Sequence, residues 1–163
     1  MRIAIFLGSD SDLEVIKDGL DLLREFEVPF RLEVTSAHRS PERTVRLVRE
    51  AEEGGAEVFI AVAGKAAHLA GVVAAHTVRP VVGVPVESAA LAGLDALLST
   101  VQMPKGVPVA TVALGKQGGV NAALLAVEIL ALKDEPLREK LLRYRTKMAA
   151  GVEESSRKLR AKA

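Results

Sequence analysis

Four consecutive residues, Ser36-Ala37-His38-Arg39, place an imidazole beside a guanidinium just after a segment that has the pattern of a β-strand. The preceding segment, Phe30 to Thr35, alternates apolar and polar side chains, and Pro41 begins a helical pattern. Histidine changes its charge near neutral pH, and arginine binds phosphate or carboxylate through a planar fork of N–H donors. Taken alone, the tetrapeptide is equally well explained as two solvated polar residues at the start of a helix.

The same arrangement of a strand followed by polar residues occurs twice more. The first strand is followed by Gly8, Ser9, Ser11 and Asp12, and the third is followed by Gly64, Lys65 and His68. Loops that follow parallel strands lie at one edge of the sheet, where ligands bind in open α/β folds. We therefore expect Ser36, His38 and Arg39 to meet these residues in one crevice.

The residue types at this edge favour a phosphorylated sugar or a nucleotide as the ligand. Gly8 and Ser9 precede a helix and offer backbone N–H groups and a hydroxyl to one phosphate group. The Asp12 carboxylate would repel a phosphate but is a good acceptor for ribose hydroxyls, and Arg39 supplies the compensating positive charge. The chain has neither a P-loop pattern nor a G-x-G-x-x-G sequence after its first strand, which disfavours ATP and dinucleotides.

Two other polar features have simpler explanations, and a third stays open. No metal site is predicted, because no carboxylate lies at metal-ligand spacing between His68 and His76. His76 follows an alanine-rich helical pattern, where we expect it to cap the C-terminus. The glycine-rich segment Gly115 to Gly119 is either the start of a helix or a wall of the pocket.

Strands and helices alternate along the chain, which predicts a parallel sheet with right-handed crossovers. The predicted strands are Arg2 to Leu7, Phe30 to Thr35, Glu57 to Ala63, Val81 to Val84 and Val109 to Ala113. The first predicted helix begins at a cap, Ser11 or Asp12, and ends just before Pro29. The other predicted helices are Pro41 to Glu53, Ala66 to His76, Ala89 to Leu98 and Gly119 to Leu132. The predicted fold class is therefore α/β, one three-layer α/β/α sandwich with a five-stranded parallel sheet, followed by a C-terminal helix.

Composition excludes several classes of function. Of the 163 residues, 49% are hydrophobic and 26% are charged, which is typical of a globular protein. The net charge of +1 gives no attraction to nucleic acid or anionic membranes, and 3% aromatic residues are too few for base stacking. The absence of cysteine excludes thiolate catalysis and fits a reducing compartment. We expect a cytoplasmic protein without nucleic-acid or membrane partners.

A last helical pattern begins near residue 136, with Leu137, Leu141, Tyr144 and Met148 on one face and charges around them. This narrow stripe packs either on its own domain or on a neighbouring subunit. Because the helix follows a complete five-stranded sandwich, we predict the second arrangement and hence a homo-oligomer.

Six motifs occur together in a specific order and spacing. They are Gly8-Ser9-Asp10-Ser11-Asp12, Ser36-Ala37-His38-Arg39, Ala66-Ala67-His68-Leu69, Gly83-Val84-Pro85-Val86, Val101-Gln102-Met103-Pro104 and Asn121-Ala122-Ala123-Leu124-Leu125-Ala126. From Ile3 to Leu132 the chain resembles the PurE family of purine biosynthesis, in its class I form. The resemblance implies a flavodoxin-like catalytic domain over residues 1–135 and a helical arm over residues 136–163 that packs on neighbouring subunits of a homo-octamer.

Class I members are mutases that move a carboxylate from the exocyclic nitrogen of N5-carboxyaminoimidazole ribonucleotide to ring carbon C4, and the resemblance implies this activity, with no cofactor and no metal. By the match, His38 is the catalytic proton shuttle. The implied substrate-binding residues are Ser9, Ser11, Asp12, Ser36, Arg39, Gly64, Lys65 and His68. Of these, Ser9, Asp12 and Arg39 correspond to the phosphoribosyl site, and His68 belongs to the loop that closes over the base.

Two positions depart from the family pattern. Where class I members usually read Gly-Gly-Ala-Ala-His-Leu-Pro-Gly, this chain has Lys65 for the second glycine and Ala70 for the proline. Lys65 either extends into solvent or reaches the migrating carboxylate. The alternatives are a class II carboxylase that uses free CO2 and aminoimidazole ribonucleotide, the related carboxylase of nickel-pincer cofactor synthesis, and a nucleotide-binding module without catalysis.

Overall fold

One parallel sheet organises the protein, as seen in a computed structural model that describes residues 1–88 and 90–162. The strands are Ile3–Leu7 (β1), Phe30–Val34 (β2), Val58–Gly64 (β3), Val81–Val86 (β4) and Ala110–Thr111 (β5), in the order β2-β1-β3-β4-β5. The helices are Leu13–Glu25 (α1), Pro41–Glu53 (α2), Leu69–Ala74 (α3), Leu94–Val101 (α4), Gly115–Ala131 (α5) and Glu135–Arg160 (α6), and a single 3-10 turn, Asp10–Asp12, precedes α1.

Alternating side chains of β1 supply both faces of the sheet. Ile3, Ile5 and Leu7 pack with α1, α5 and the start of α6, whereas Ala4 and Phe6 pack with α2, α3 and α4. The central strand β3 is buried on both faces along most of its length, which is why its residues are almost all apolar. The predicted α/β/α sandwich with five parallel strands is confirmed, and its architecture is flavodoxin-like.

Two glycines bring α1 and α5 into backbone contact. A Cβ atom on Gly19 would lie 2.5 Å from the carbonyl oxygen of Gly119, and a Cβ atom on Gly119 would overlap the carbonyl oxygen of Val15. No larger residue fits at either position without moving one helix away from the other. This contact fixes α1, and with it the loop that leads from β1 into α1.

Two of the predicted helices begin too early, and the backbone explains why. Lys65 has a φ of +56°, so the chain turns after β3, and α3 begins at Leu69 rather than at Ala66. Ala92 and Gly93 have φ of +48° and +85°, so α4 begins only at Leu94. The predicted start of that helix, Ala89, lies outside the described residues.

The glycine-rich segment Gly115 to Gly119 forms the first turn of α5, which therefore begins four residues earlier than predicted. Gly115 has a φ of +67°, and a Cβ atom on Gly118 would overlap the carbonyl oxygen of Ala113. Its glycines thus permit a tight start to the helix, as one of the two sequence interpretations held. Among the strands the largest differences in length are at β4, which extends to Val86, and at β5, which has only two residues.

The first turns of α6 pack on their own chain. Leu137 and Leu141 are buried, and the ring of Tyr144 lies 5.7 Å from that of Phe26. Asp134 accepts a hydrogen bond from the backbone N–H of Leu137, at 3.1 Å, and caps the helix. The later apolar residues Met148, Val152 and Leu159 are exposed, so packing on neighbouring subunits remains a prediction for that part of the helix.

Among the described residues, no helix, including the long α6, has a stretch that is both long and apolar enough to cross a membrane.

Candidate active site

Four loops at the carboxyl edge of the sheet enclose one pocket of about 770 Å³. Leu7, the last residue of β1, pairs with Val34, the last residue of β2, and with Val62 of β3, which continues for two more residues to Gly64. All the predicted site residues line the pocket: Ser9, Ser11, Asp12, Ser36, His38, Arg39, Gly64, Lys65 and His68. The convergence predicted from three loops is confirmed, while the chemical role of each residue remains a prediction.

The loop after β1 uses its first two backbone N–H groups internally. Gly8 donates to the carbonyl oxygen of Val62 at 2.9 Å, and Ser9 donates to Asp12 Oδ2 at 3.0 Å. The expectation that these two N–H groups face a phosphate is therefore wrong. The hydroxyls of Ser9 and Ser11 line the pocket, and they too are bonded within the loop: Ser11 Oγ donates to Ser9 Oγ, and Ser9 Oγ donates to Asp10 Oδ1, each at 3.0 Å. A hydroxyl can rotate, so these two groups would turn to donate to an anion.

Asp12 is a buried carboxylate of the site, with a relative exposure of 7%. It occupies the N-cap position of α1, yet its side chain does not cap the helix and instead accepts the Ser9 N–H. Burial raises the pKa of Asp12, an effect that the Ser9 bond partly offsets and the nearby charge of Asp10 increases. Asp12 therefore holds the shape of the loop at some electrostatic cost.

Arg39 connects the loops after β1 and β2. Its Nη2 donates to the carbonyl oxygen of Gly8 at 3.1 Å, and its Nε donates to Ser36 Oγ at 3.3 Å. The same Ser36 hydroxyl accepts the backbone N–H of Arg39 at 3.1 Å. These contacts orient the guanidinium while leaving some of its five N–H donors available to a ligand.

His38 and His68 form a hydrogen-bonded pair across the pocket. Nε2 of His38 lies 2.8 Å from Nδ1 of His68, with the rings nearly perpendicular at 78°. One of these facing nitrogens must carry a proton and the other must lack one, so the bonded pair carries at most one positive charge. The sequence placed both residues at the pocket but contained no sign that their rings would bond.

The end of β4 and the loop after it contribute pocket residues that the sequence analysis missed: Val86, Glu87 and Ser88. Ser88 is held by Asp95 at the start of α4, with its hydroxyl 3.2 Å from Oδ2. The rule that located the other three loops applies to this one as well, since it also follows a strand of the parallel sheet.

His76 lies apart from the pocket and caps α3 as predicted. Its Nδ1 lies 2.9 Å from the carbonyl oxygen of Val72 in the helix. Among residues 1–88 and 90–162, no group of three or more histidine and carboxylate side chains is placed to hold a metal ion.

Comparison with known proteins gives consistent matches. A family model described as AIR carboxylase matches residues 2–151. A Pyrococcus horikoshii protein named N5-carboxyaminoimidazole ribonucleotide mutase is 53% identical over 157 residues, covering 96% of this chain and 88% of its own. The Escherichia coli protein of the same name is 50% identical over 144 residues, covering 88% and 85%. The crystal structure of Treponema denticola PurE superposes with a TM-score of 0.87 at 28% identity, covering 96% of this chain and 97% of that one.

The raised pKa of Asp12 predicts a pH-dependent effect of Asp12→Asn on stability. The native carboxyl keeps its proton to a higher pH than the unfolded one, so the wild type loses stability as pH rises through that interval. Asparagine can still accept the Ser9 N–H but cannot ionise. We therefore expect the free energy of unfolding of the variant, relative to the wild type, to increase as pH rises above about 4, the ordinary pKa of an aspartate.

Urea unfolding at several pH values measures this difference. Asp18→Asn is the control, because it removes a carboxylate from an exposed position of α1. An equal pH trend in both variants would assign the effect to net charge and contradict a role for burial at Asp12.

Proposed function

The chain belongs to the AIR carboxylase family, and we propose that it is an N5-carboxyaminoimidazole ribonucleotide mutase of purine biosynthesis. The observation that carries this proposal is its identity of 50–53% with relatives of that name, over 88–96% of the chain. The protein is accordingly an isomerase that acts on a small-molecule nucleotide.

The reaction requires a proton to move in the opposite direction to the carboxylate. The bond between the exocyclic nitrogen and the carboxylate carbon breaks, its electron pair stays on nitrogen, and CO2 is released as nitrogen gains a proton. Ring carbon C4 then attacks CO2 with an electron pair of the electron-rich aminoimidazole ring and gives up its proton. The proton released by C4 replaces the one gained by nitrogen, so no net proton is consumed. The reaction therefore needs only a site that retains CO2 and transfers one proton.

The His38–His68 pair fits the proton shuttle. An imidazole exchanges protons near neutral pH, and the shared hydrogen bond lets a proton lost by one ring be replaced from the other. We assign the transfer between nitrogen and C4 to His38, and we assign its support and orientation to His68.

The other side of the pocket fits the phosphoribosyl part of the substrate. Arg39 is fixed between two loops and offers a cation. The hydroxyls of Ser9 and Ser11 line the same pocket, and on rotating out of their bonds within the loop they would donate to the phosphate. Asp12 fixes Ser9 through one carboxylate oxygen, and we assign the other oxygen to a ribose hydroxyl. Ser36 contributes by orienting Arg39.

We further propose that the protein assembles as a homo-octamer in the cytoplasm and that the later part of α6 contacts neighbouring subunits. The exposed Met148, Val152 and Leu159 support this proposal, because solvent-exposed apolar side chains on a long helix are typical of an interface.

His38→Asn should abolish most turnover while leaving binding nearly intact. We expect conversion of N5-carboxyaminoimidazole ribonucleotide to fall by about 10²-fold or more, the scale of general acid–base catalysis, because asparagine cannot exchange protons. Ultraviolet absorbance of the carboxylated imidazole measures the rate, and titration calorimetry measures the affinity.

The control for His38 is His76→Asn, which changes a histidine that caps α3 outside the pocket. Near-normal turnover by His38→Asn would remove this residue from the mechanism. If the wild type acts only on aminoimidazole ribonucleotide with bicarbonate, the mutase assignment itself is wrong.

Arg39→Ala should weaken binding of the ribonucleotide far more than binding of the dephosphorylated nucleoside. Loss of one charge-assisted contact to phosphate costs about 1.5–3 kcal/mol. Arg46→Ala is the matched control, because Arg46 is exposed on α2 and pairs with Glu50. Equal losses for nucleotide and nucleoside would place the phosphate elsewhere.

Light scattering should give a particle about eight times the 17.3 kDa mass of the chain. Val152→Glu should dissociate it without unfolding the subunit, because Leu137 and Leu141 stay buried on their own chain. Ala150→Glu adds the same charge on the opposite face of α6 and should have the smaller effect. A monomeric wild type would contradict the assembly proposal.

A further inference from the structure

Lys65 has a backbone conformation that a glycine would adopt more easily. Its φ is +56°, in the left-handed region where a Cβ atom is disfavoured. The glycines with positive φ are Gly55, Gly93, Gly106 and Gly115. Strained conformations of this kind cluster at functional sites, so the side chain of Lys65 is itself a candidate for function.

Lys65 and Glu87 are neighbours at the rim of the pocket. Gly64 pairs with Val86 at the ends of β3 and β4, and Lys65 and Glu87 are the next residues along each chain. Both side chains are exposed and both line the pocket. In the described residues they form no ion pair with each other, although a lysine stem is long enough to span two adjacent strands.

The carboxylate of Glu87 is turned toward the start of α5. A Cβ atom on Gly115, the first residue of that helix, would lie 3.4 Å from Glu87 Oε1. The partial positive charge of a helix N-terminus attracts a carboxylate. Glu87 thus has a favourable position that leaves Lys65 free to bind another anion.

Two cations, Arg39 and Lys65, line the described part of the pocket and come from different loops. Arg39 follows β2 and is bound to the loops after β1 and β2, whereas Lys65 directly follows β3. His38 and His68, from the loops after β2 and β3, bond to each other in the same pocket. A substrate with one phosphate and one carboxylate therefore finds two cations from separate loops in the pocket that holds the histidine pair.

We propose that Lys65 is a specificity-determining residue that binds the migrating carboxylate of the substrate. This inference rests on the proposed mutase function. The ammonium group, with three rotatable donors on a flexible stem, can follow the carboxylate from the exocyclic nitrogen to C4.

The test compares two ligands that differ only in the carboxylate. Titration calorimetry measures the affinities of 4-carboxy-5-aminoimidazole ribonucleotide and of aminoimidazole ribonucleotide. Lys65→Met keeps the stem and the Cβ atom but removes the charge. We expect about a tenfold to hundredfold loss of affinity for the carboxylated ligand, and little change for the other.

Two further variants make the result specific. Lys65→Arg should restore most of the preference for the carboxylated ligand, and Lys17→Met, which removes an exposed charge from α1, should leave it unchanged.

Two results would overturn the inference. An unchanged affinity ratio in Lys65→Met would mean that Lys65 extends into solvent, and an equal loss for both ligands would mean a general electrostatic or structural role. These outcomes are separate from failure of the mutase assignment, which is judged by wild-type turnover of N5-carboxyaminoimidazole ribonucleotide.

Discussion

The register of β1, β2 and β3 is the constraint on which the pocket depends. Leu7 pairs with both Val34 and Val62, so β1 and β2 end level and β3 continues for two residues to Gly64. Hydrogen bonds from Gly8 to Val62 of β3 and from Arg39 to Gly8 then join these segments into one wall. If one strand shifted by one residue, His38 and His68 would move apart, and every side chain of that strand would point to the opposite face of the sheet.

This wall is rigid because it satisfies its own polar groups before any ligand arrives. Asp12 accepts the Ser9 N–H, Ser36 orients Arg39, and Asp95 holds Ser88. Behind it, the backbone contact at Gly19 and Gly119 fixes α1 against α5. Groups oriented in this way do not have to be ordered again on binding, so more of the interaction energy with the substrate is available for catalysis.

The sequence predicted the strands, the layers and the pocket residues because each follows from periodicity or from a strand-then-loop pattern. It did not predict that Gly8 and Ser9 would use their N–H groups internally, because a buried carboxylate three residues away competes for one of them. It also placed α3 and α4 too early, since positive φ at Lys65 and Ala92 is invisible to hydrophobic patterns. The hydrogen bond between the rings of His38 and His68 joins loops that are distant in the sequence, so it can be identified only from the tertiary structure.

The charges around the pocket and the bond between its histidines both bear on the proposed proton transfer. Two cations, Arg39 and Lys65, and two carboxylates, Asp12 and Glu87, line the pocket, so the lining carries little net charge of its own. A phosphate and a carboxylate of the proposed substrate would therefore be the main negative charges that the cations have to balance. The hydrogen bond between His38 and His68 limits the pair to one positive charge, and one proton is what the proposed carboxylate transfer has to move.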